Sequence, residues 1–166
     1  HPKISYGNAL ALGTESQGEY VDVEIEEDLS VEEYLNRMNA QLPQGIKFIE
    51  AKEIDKQESS LASVIEYGEY IFTIETEKTL TKEYVKSKIV ESDIRPMIRN
   101  FDLLDVQDNV LTLEATIATG SKANLNTNIF IPKILDLLEL DMDPLDVDIL
   151  RRDLYKLQDG QLVSPM

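Results

Sequence analysis

The sequence predicts an α+β protein of two ferredoxin-like (split βαβ) lobes, with antiparallel sheets and helices packed on one face of each. Three observations predict it. Residues 67–157 carry strand and helix patterns in the order strand, helix, strand, strand, helix, strand. Residues 19–54 repeat part of that order as strand, helix, strand, so Glu19 to Ile54 and Asn109 to Ile149 form a weak internal repeat of elements. The 166 residues are 42% hydrophobic and 29% charged, enough apolar material for one medium domain or two small lobes sharing a core. The expected division is an incomplete first lobe at 1–56, a connector at 57–66, and a second lobe at 67–166 ending in a hairpin.

An opening strand is placed between Ile4 and Leu12. From Glu19, Val21, Val23 and Ile25 alternate with Asp22, Glu24 and Glu26, the period of a half-buried strand. Ser30 and Glu33 have capping-box spacing, and Val31, Tyr34, Leu35, Met38 and Leu42 recur at helical intervals, a stripe expected to face the core. Pro43 and Gly45 end that helix. A second strand is expected from about Ile46 to Ile54. Residues 55–66 are polar and serine-containing, as suits a connector.

The next strand, Glu69 to Glu75, puts Tyr70, Phe72 and Ile74 on one face. Thr79 and Thr81 are candidate caps for a helix from about Lys82 to Val90, followed by a helical turn at Pro96 to Arg99. Phe101 to Val106 and Val110 to Ile117 are apolar runs joined by Gln107-Asp108-Asn109, which predicts a hairpin with Leu111, Leu113, Ala115 and Ile117 on one face. Gly120 to Asn128 is a loop by composition. The helix after it is expected to hold Pro132 in its first turn and to bury Ile131, Ile134, Leu135 and Leu138. Val147 and Ile149 open a last strand running to Leu157, and Asp159-Gly160 turns the chain back towards Leu162 and Val163.

Charge and composition exclude several functions. Acids outnumber bases 32 to 16, a formal charge of −16, which disfavours nonspecific binding to nucleic acid or anionic membranes. The sequence contains no cysteine, removing thiol nucleophiles, disulfides, thiolate zinc sites and cysteine-ligated iron–sulfur clusters. A single histidine, His1, argues against a His-rich metal site or an internal Ser-His-Asp triad. No signal-like segment or run of 18 apolar residues occurs, so the chain is expected to be soluble and cytoplasmic. Asp136, Glu139, Asp141, Asp143, Asp146 and Asp148 invite a calcium reading, but counting from Asp141 puts Leu145 and Asp146 where an EF-hand needs an oxygen ligand and a glycine. The run is therefore read as a charged helix end and strand face, with no metal and no cofactor in this chain.

Four groups of residues are candidate binding sites. His1, Lys3, Ser5 and Ser16 put an imidazole, an ammonium and hydroxyls into one glycine-containing stretch, as a small-molecule or anion site does. There His1 is the candidate acid or base and Lys3 the anion contact; the competing reading is a lobe junction whose glycines set turns. Asn124 and Asn126 precede a helix N-terminus, where N–H groups hold an anion or where the amides simply cap. Arg151, Arg152 and Tyr155 lie on the last strand, with Arg151 and Arg152 on opposite faces. Lys82, Lys86, Arg95 and Arg99 belong to a locally basic stretch that either contacts RNA phosphates or an acidic partner or, as preferred, forms a solvated helix face.

The opening His1-Pro2-Lys3-Ile4-Ser5-Tyr6-Gly7, with Ala9-Leu10, Leu12-Gly13, Glu15-Ser16 and Gly18-Glu19-Tyr20-Val21-Asp22, resembles the central motif of the bacterial radical-SAM-linked protein family. Members of that family are domains of unknown function encoded beside, or fused to, radical S-adenosylmethionine enzymes. Leu42-Pro43 with Gly45, Gly120-Ser121 with Asn124-Leu125-Asn126, and Arg151 with Leu154-Tyr155 extend the resemblance over most of the chain. It implies a further strand and helix before the His-Pro-Lys block, which makes His1 an interior residue of a longer chain. It also implies a radical S-adenosylmethionine enzyme as protein partner or fused domain. The expected function is an accessory or substrate-presenting domain that is not an enzyme on its own. An RNA-binding module serving RNA modification is the alternative, and a stand-alone enzyme using His1 and Lys3 has the weakest support.

Overall fold

The computed structural model describes residues 3–107 and 109–166. Its first elements are the short strands β1 (Lys3–Tyr6), β2 (Thr14–Ser16) and β3 (Val21–Glu24). β1 and β3 pair antiparallel as a ladder of their own, whereas β2 joins the large sheet. The alternation seen from Glu19 thus yields only a four-residue strand, and Ile25 lies beyond it, 40% exposed. Ser30 Oγ accepts the Glu33 N–H and starts α1 (Val31–Asn39), as the capping-box spacing predicts. No residue of α1 is fully buried, so its apolar stripe is covered only in part. Tyr34 leans on Phe48 with ring centroids 6.1 Å apart.

Residues 46–54 do not form the expected strand. A strand needs a partner ladder for its backbone groups, and among the described residues none lies alongside. The Asn39 amide takes that role for Phe48 alone, accepting its N–H at 2.8 Å and donating to its C=O at 2.9 Å. Ile46 and Ile49 remain 61% and 82% exposed. The internal repeat accordingly lacks its third element in the first half. The connector contains α2 (Leu61–Val64), whose Leu61 N–H is accepted by Asp22 at 2.9 Å.

The remaining elements follow in the predicted order: β4 (Ile65–Glu75), α3 (Lys82–Val90), β5 (Ile98–Gln107), β6 (Val110–Ala118), α4 (Thr127–Leu137), β7 (Asp148–Gln158) and β8 (Gln161–Val163). The sheet order is β2-β7-β4-β6-β5, with β8 also on β7. β4 is antiparallel to both of its neighbours, and β2 runs parallel to β7. The architecture is α+β. Thr81 Oγ1 accepts the Tyr84 N–H and starts α3, and Asp159 and Gly160 turn β7 into β8 with φ of 52° and 77°. Asn109, with φ 66°, precedes β6, and Asp108 of the expected turn lies outside the described residues.

Tyr70, Phe72 and Ile74 of β4 and Leu111, Leu113, Ala115 and Ile117 of β6 share the inner face predicted for them. They bury against Val85 and Ile89 of α3 and against Phe130, Ile131, Ile134 and Leu135 of α4. Phe72 and Phe130 approach to 4.7 Å between ring centroids and so join α4 to the sheet.

Two boundaries around α4 differ from expectation. Thr127 and Asn128 are helical rather than part of the loop, and Pro132 lies inside the helix rather than in its first turn. Pro132 forgoes one helical hydrogen bond; burial of the residues on either side outweighs that loss. In the acidic run, Asp143 Oδ1 accepts the Leu145 N–H at 2.9 Å and caps a short 3-10 turn. No group of three His, Cys, Asp or Glu among the described residues is placed to hold a metal ion. No described helix is long and apolar enough to cross a membrane.

Candidate functional site

Strand alternation turns Arg151 inward, beside Tyr70 of β4 and opposite Ser16 of β2. Its side chain is 1% exposed. A guanidinium so buried persists only with its charge and donors matched. Nη1 donates to Asn8 Oδ1 at 2.8 Å, Nη2 donates to the Ala9 C=O at 3.1 Å, and Tyr70 places its ring centroid 5.9 Å away. Nε lies 2.9 Å from Glu19 Oε1, an ion contact that is out of line for a hydrogen bond. Burial raises the Tyr70 pKa, and the Arg151 charge opposes that rise.

Asn8 is the junction between distant segments. Its Nδ2 donates to both Thr119 C=O at 3.1 Å and Thr119 Oγ1 at 3.0 Å, while its Oδ1 holds Arg151. Thr119 pairs with Asn124 in a one-residue bridge, and the Leu125 N–H reaches the Ala118 C=O at 2.7 Å. That folded loop delivers Asn126 as the N-cap of α4.

Between these segments lies a cleft of about 280 Å³. The loop from Asn8 to Thr14 forms one wall, Tyr70 and Arg151 the floor, and Thr119 with Asn124 to Asn128 the other wall. None of its lining residues is Asp or Glu, in a chain with 32 acids, and Arg151 is the lining cation. Thr14 Oγ1 and Asn126 Oδ1 are buried there without a hydrogen-bond partner, and Asn126 makes no side-chain cap bond to α4. A second hollow, about 260 Å³, lies at the turn end of β4 and β6 beside Glu75 and Glu77. It gathers no candidate residue.

The structure brings Arg151, Asn124 and Asn126 together at the cleft. Ser16 touches the same network, donating through Oγ to Glu19. Lys3 and Ser5 lie elsewhere, exposed on β1, with Lys3 Nζ 3.6 Å from Glu24. His1 is outside the described residues. In the basic stretch, Lys82 donates to the Leu103 C=O at 2.9 Å, Arg95 to the Ile98 C=O at 2.6 Å and Arg99 to the Gly160 C=O at 2.6 Å. These three are ties to backbone, and Lys86 stands exposed on α3. Arg152 faces away from Arg151, as alternation predicts, between Glu69 at 3.6 Å and Glu114 at 2.9 Å. Tyr155 donates to Glu69 on that same outer face. Sequence reasoning missed Asn8, Thr14, Glu19, Tyr70, Thr119 and Thr127 as site residues. The available signal was the opening motif, which contains Glu19 and whose Gly7 and Ala9 flank Asn8.

The rest of that motif fastens the loop to β7. A Cβ on Gly18 would come within 2.6 Å of the Arg152 C=O, so only glycine allows this approach. Tyr20 donates to Asp153 at 2.7 Å; burial first and then this carboxylate raise the phenol to a pKa of about 12 from 10.0. The folded state thus holds the proton more tightly than the unfolded chain. The linked stability is intact below pH ~10 and lost as pH rises towards ~12. Tyr20→Phe is expected to flatten this loss in melting temperatures recorded across that range; an unchanged decline would show that Tyr20 is not the responsible group.

A family model described as "Uncharacterized protein conserved in bacteria (DUF2344)" matches residues 1–127. No curated protein and no solved structure matches the chain.

Proposed function

Because the chain belongs to this uncharacterized, conserved bacterial family, whose model covers residues 1–127, we propose that it is a noncatalytic accessory domain presenting a substrate to a radical S-adenosylmethionine enzyme. One observation carries the reading. Three of the motif blocks through which the chain resembles the radical-SAM-linked proteins meet at the Arg151 cleft, although Asn8 and Arg151 are 143 positions apart. The opening block supplies Ala9 and Glu19 and flanks Asn8, the block ending Asn124-Leu125-Asn126 supplies those two asparagines, and the last block supplies Arg151. Residues so distant in sequence and held by so many hydrogen bonds form a rigid cradle, which is what holding a ligand for another protein requires.

We read residues 67–157 as a ferredoxin-like lobe. The succession β4, α3, β5, β6, α4, β7 with spatial order β7-β4-β6-β5 supports this. The domain acts in the cytoplasm, where such an enzyme would meet it. RNA is the less favoured partner because Lys82, Arg95 and Arg99 are engaged with backbone carbonyls.

Affinity capture of the full-length native protein from its own cells, with co-purifying proteins and nucleic acids identified, tests the proposal. Recovery of a radical S-adenosylmethionine enzyme is expected. Recovery of defined RNA without that enzyme, or of neither, would overturn it.

A further inference from the structure

We propose that residues 46–54 are an open docking edge, which takes an extended, basic segment of a partner protein as an added strand. The inference deepens the accessory reading, which needs a protein partner, and rests on it. Four of the nine residues are Ile or Phe and none is Pro or Gly, the content of a strand. Yet no described strand lies beside them, and no backbone N–H or C=O of residues 49–54 is hydrogen-bonded to a described residue. The segment is nonetheless held at one point, because Asn39 takes both backbone groups of Phe48 and the Phe48 ring leans on Tyr34 of α1. In a strand, successive residues turn their backbone groups to opposite sides. With Phe48 bonded towards α1, an added strand pairs with Ile49, Ala51 and Glu53 on the open side.

Two further features state the chemistry of the occupant. Ile46, Ile49 and Ile54 are exposed, leaving apolar surface for a partner's side chains to cover. Around them, positions 24 to 58 carry ten acidic and four basic residues, all exposed. Of those cations, Arg37 is held by Glu27 at 2.8 Å, and Lys56 lies 4.0 Å from Glu24, which brings the acidic runs 24–33 and 50–58 beside each other. Such an excess of carboxylates is complementary to a segment rich in Lys or Arg. A second copy of the chain would set the same acids against one another, so charge argues against it as the occupant.

Two-dimensional 1H–15N NMR of the full chain tests this edge, with an end-capped peptide of about seven alternating lysines and valines as the probe. Saturable shifts centred on the Ile49, Ala51 and Glu53 amides are expected, with slowed hydrogen exchange at the same groups. Replacing the central valine of the probe by proline keeps its charge but removes a ladder donor, and should weaken binding at least about tenfold. Glu50→Lys combined with Glu53→Lys should weaken it by a similar factor and hold the melting temperature, because both side chains are exposed. Absence of saturation at these amides would overturn the edge, as would equal binding of the proline peptide or binding undiminished in the double variant. Shifts of the same amides on concentrating the chain alone would assign the edge to a second copy and overturn the basic occupant. None of these results bears on enzyme capture, so the two proposals fail separately.

Discussion

Arg151→Ala is expected to lower the free energy of unfolding by about 3–5 kcal/mol, the cost of removing one partner from a buried ionic network. The side chain is 1% exposed, and its loss strips acceptors of their donors at Asn8 and Ala9. It also leaves the Glu19 carboxylate, 35% exposed, without its cation. Equilibrium urea denaturation measures the loss. Arg151→Met combined with Glu19→Gln should recover part of it, because the double change leaves no carboxylate without its cation. A loss below about 1 kcal/mol in Arg151→Ala would show a surface arginine instead.

Phe72→Ala is expected to cost about 3–5 kcal/mol through lost burial and the cavity left behind. Phe72 is 1% exposed and packs on Phe130 at 4.7 Å and on Tyr70 at 5.8 Å between ring centroids. The same rings support the cleft, since Tyr70 forms its floor and Phe130 sits in the early turns of α4. Ile49→Ala, at a side chain 82% exposed in the segment that is not a strand, should stay within about 0.5 kcal/mol. Equal effects at Phe72 and Ile49 in denaturation would contradict the assignment of the core.

Local signals were legible wherever one segment satisfies itself. Ser30 with Glu33, Thr81 before α3, the Asp159-Gly160 turn and the α4 stripe all act within a few residues, and each is found where spacing predicts it. Residues 46–54 misled because an apolar run specifies a strand only if a neighbour completes its ladder, and here Asn39 serves Phe48 alone. Pro132 misled in the same way: burial on α4 outweighs a local cost. The cleft was legible in fragments. Asn124, Asn126 and Arg151 stood out singly, while Asn8 and Thr119 are joined across 111 positions by contacts with no period to reveal them.

The central claim is that the opening motif is held on β7 by Arg151, which makes the cleft. A double-mutant cycle between Asn8→Ala and Arg151→Met, read by urea denaturation, measures that tie directly. A coupling energy of about 1 kcal/mol or more is predicted, since Nη1 and Oδ1 meet at 2.8 Å and the Arg151 side chain is 1% exposed. Effects that add to within about 0.3–0.5 kcal/mol would mean that the two residues do not meet, and the cleft as described would not exist.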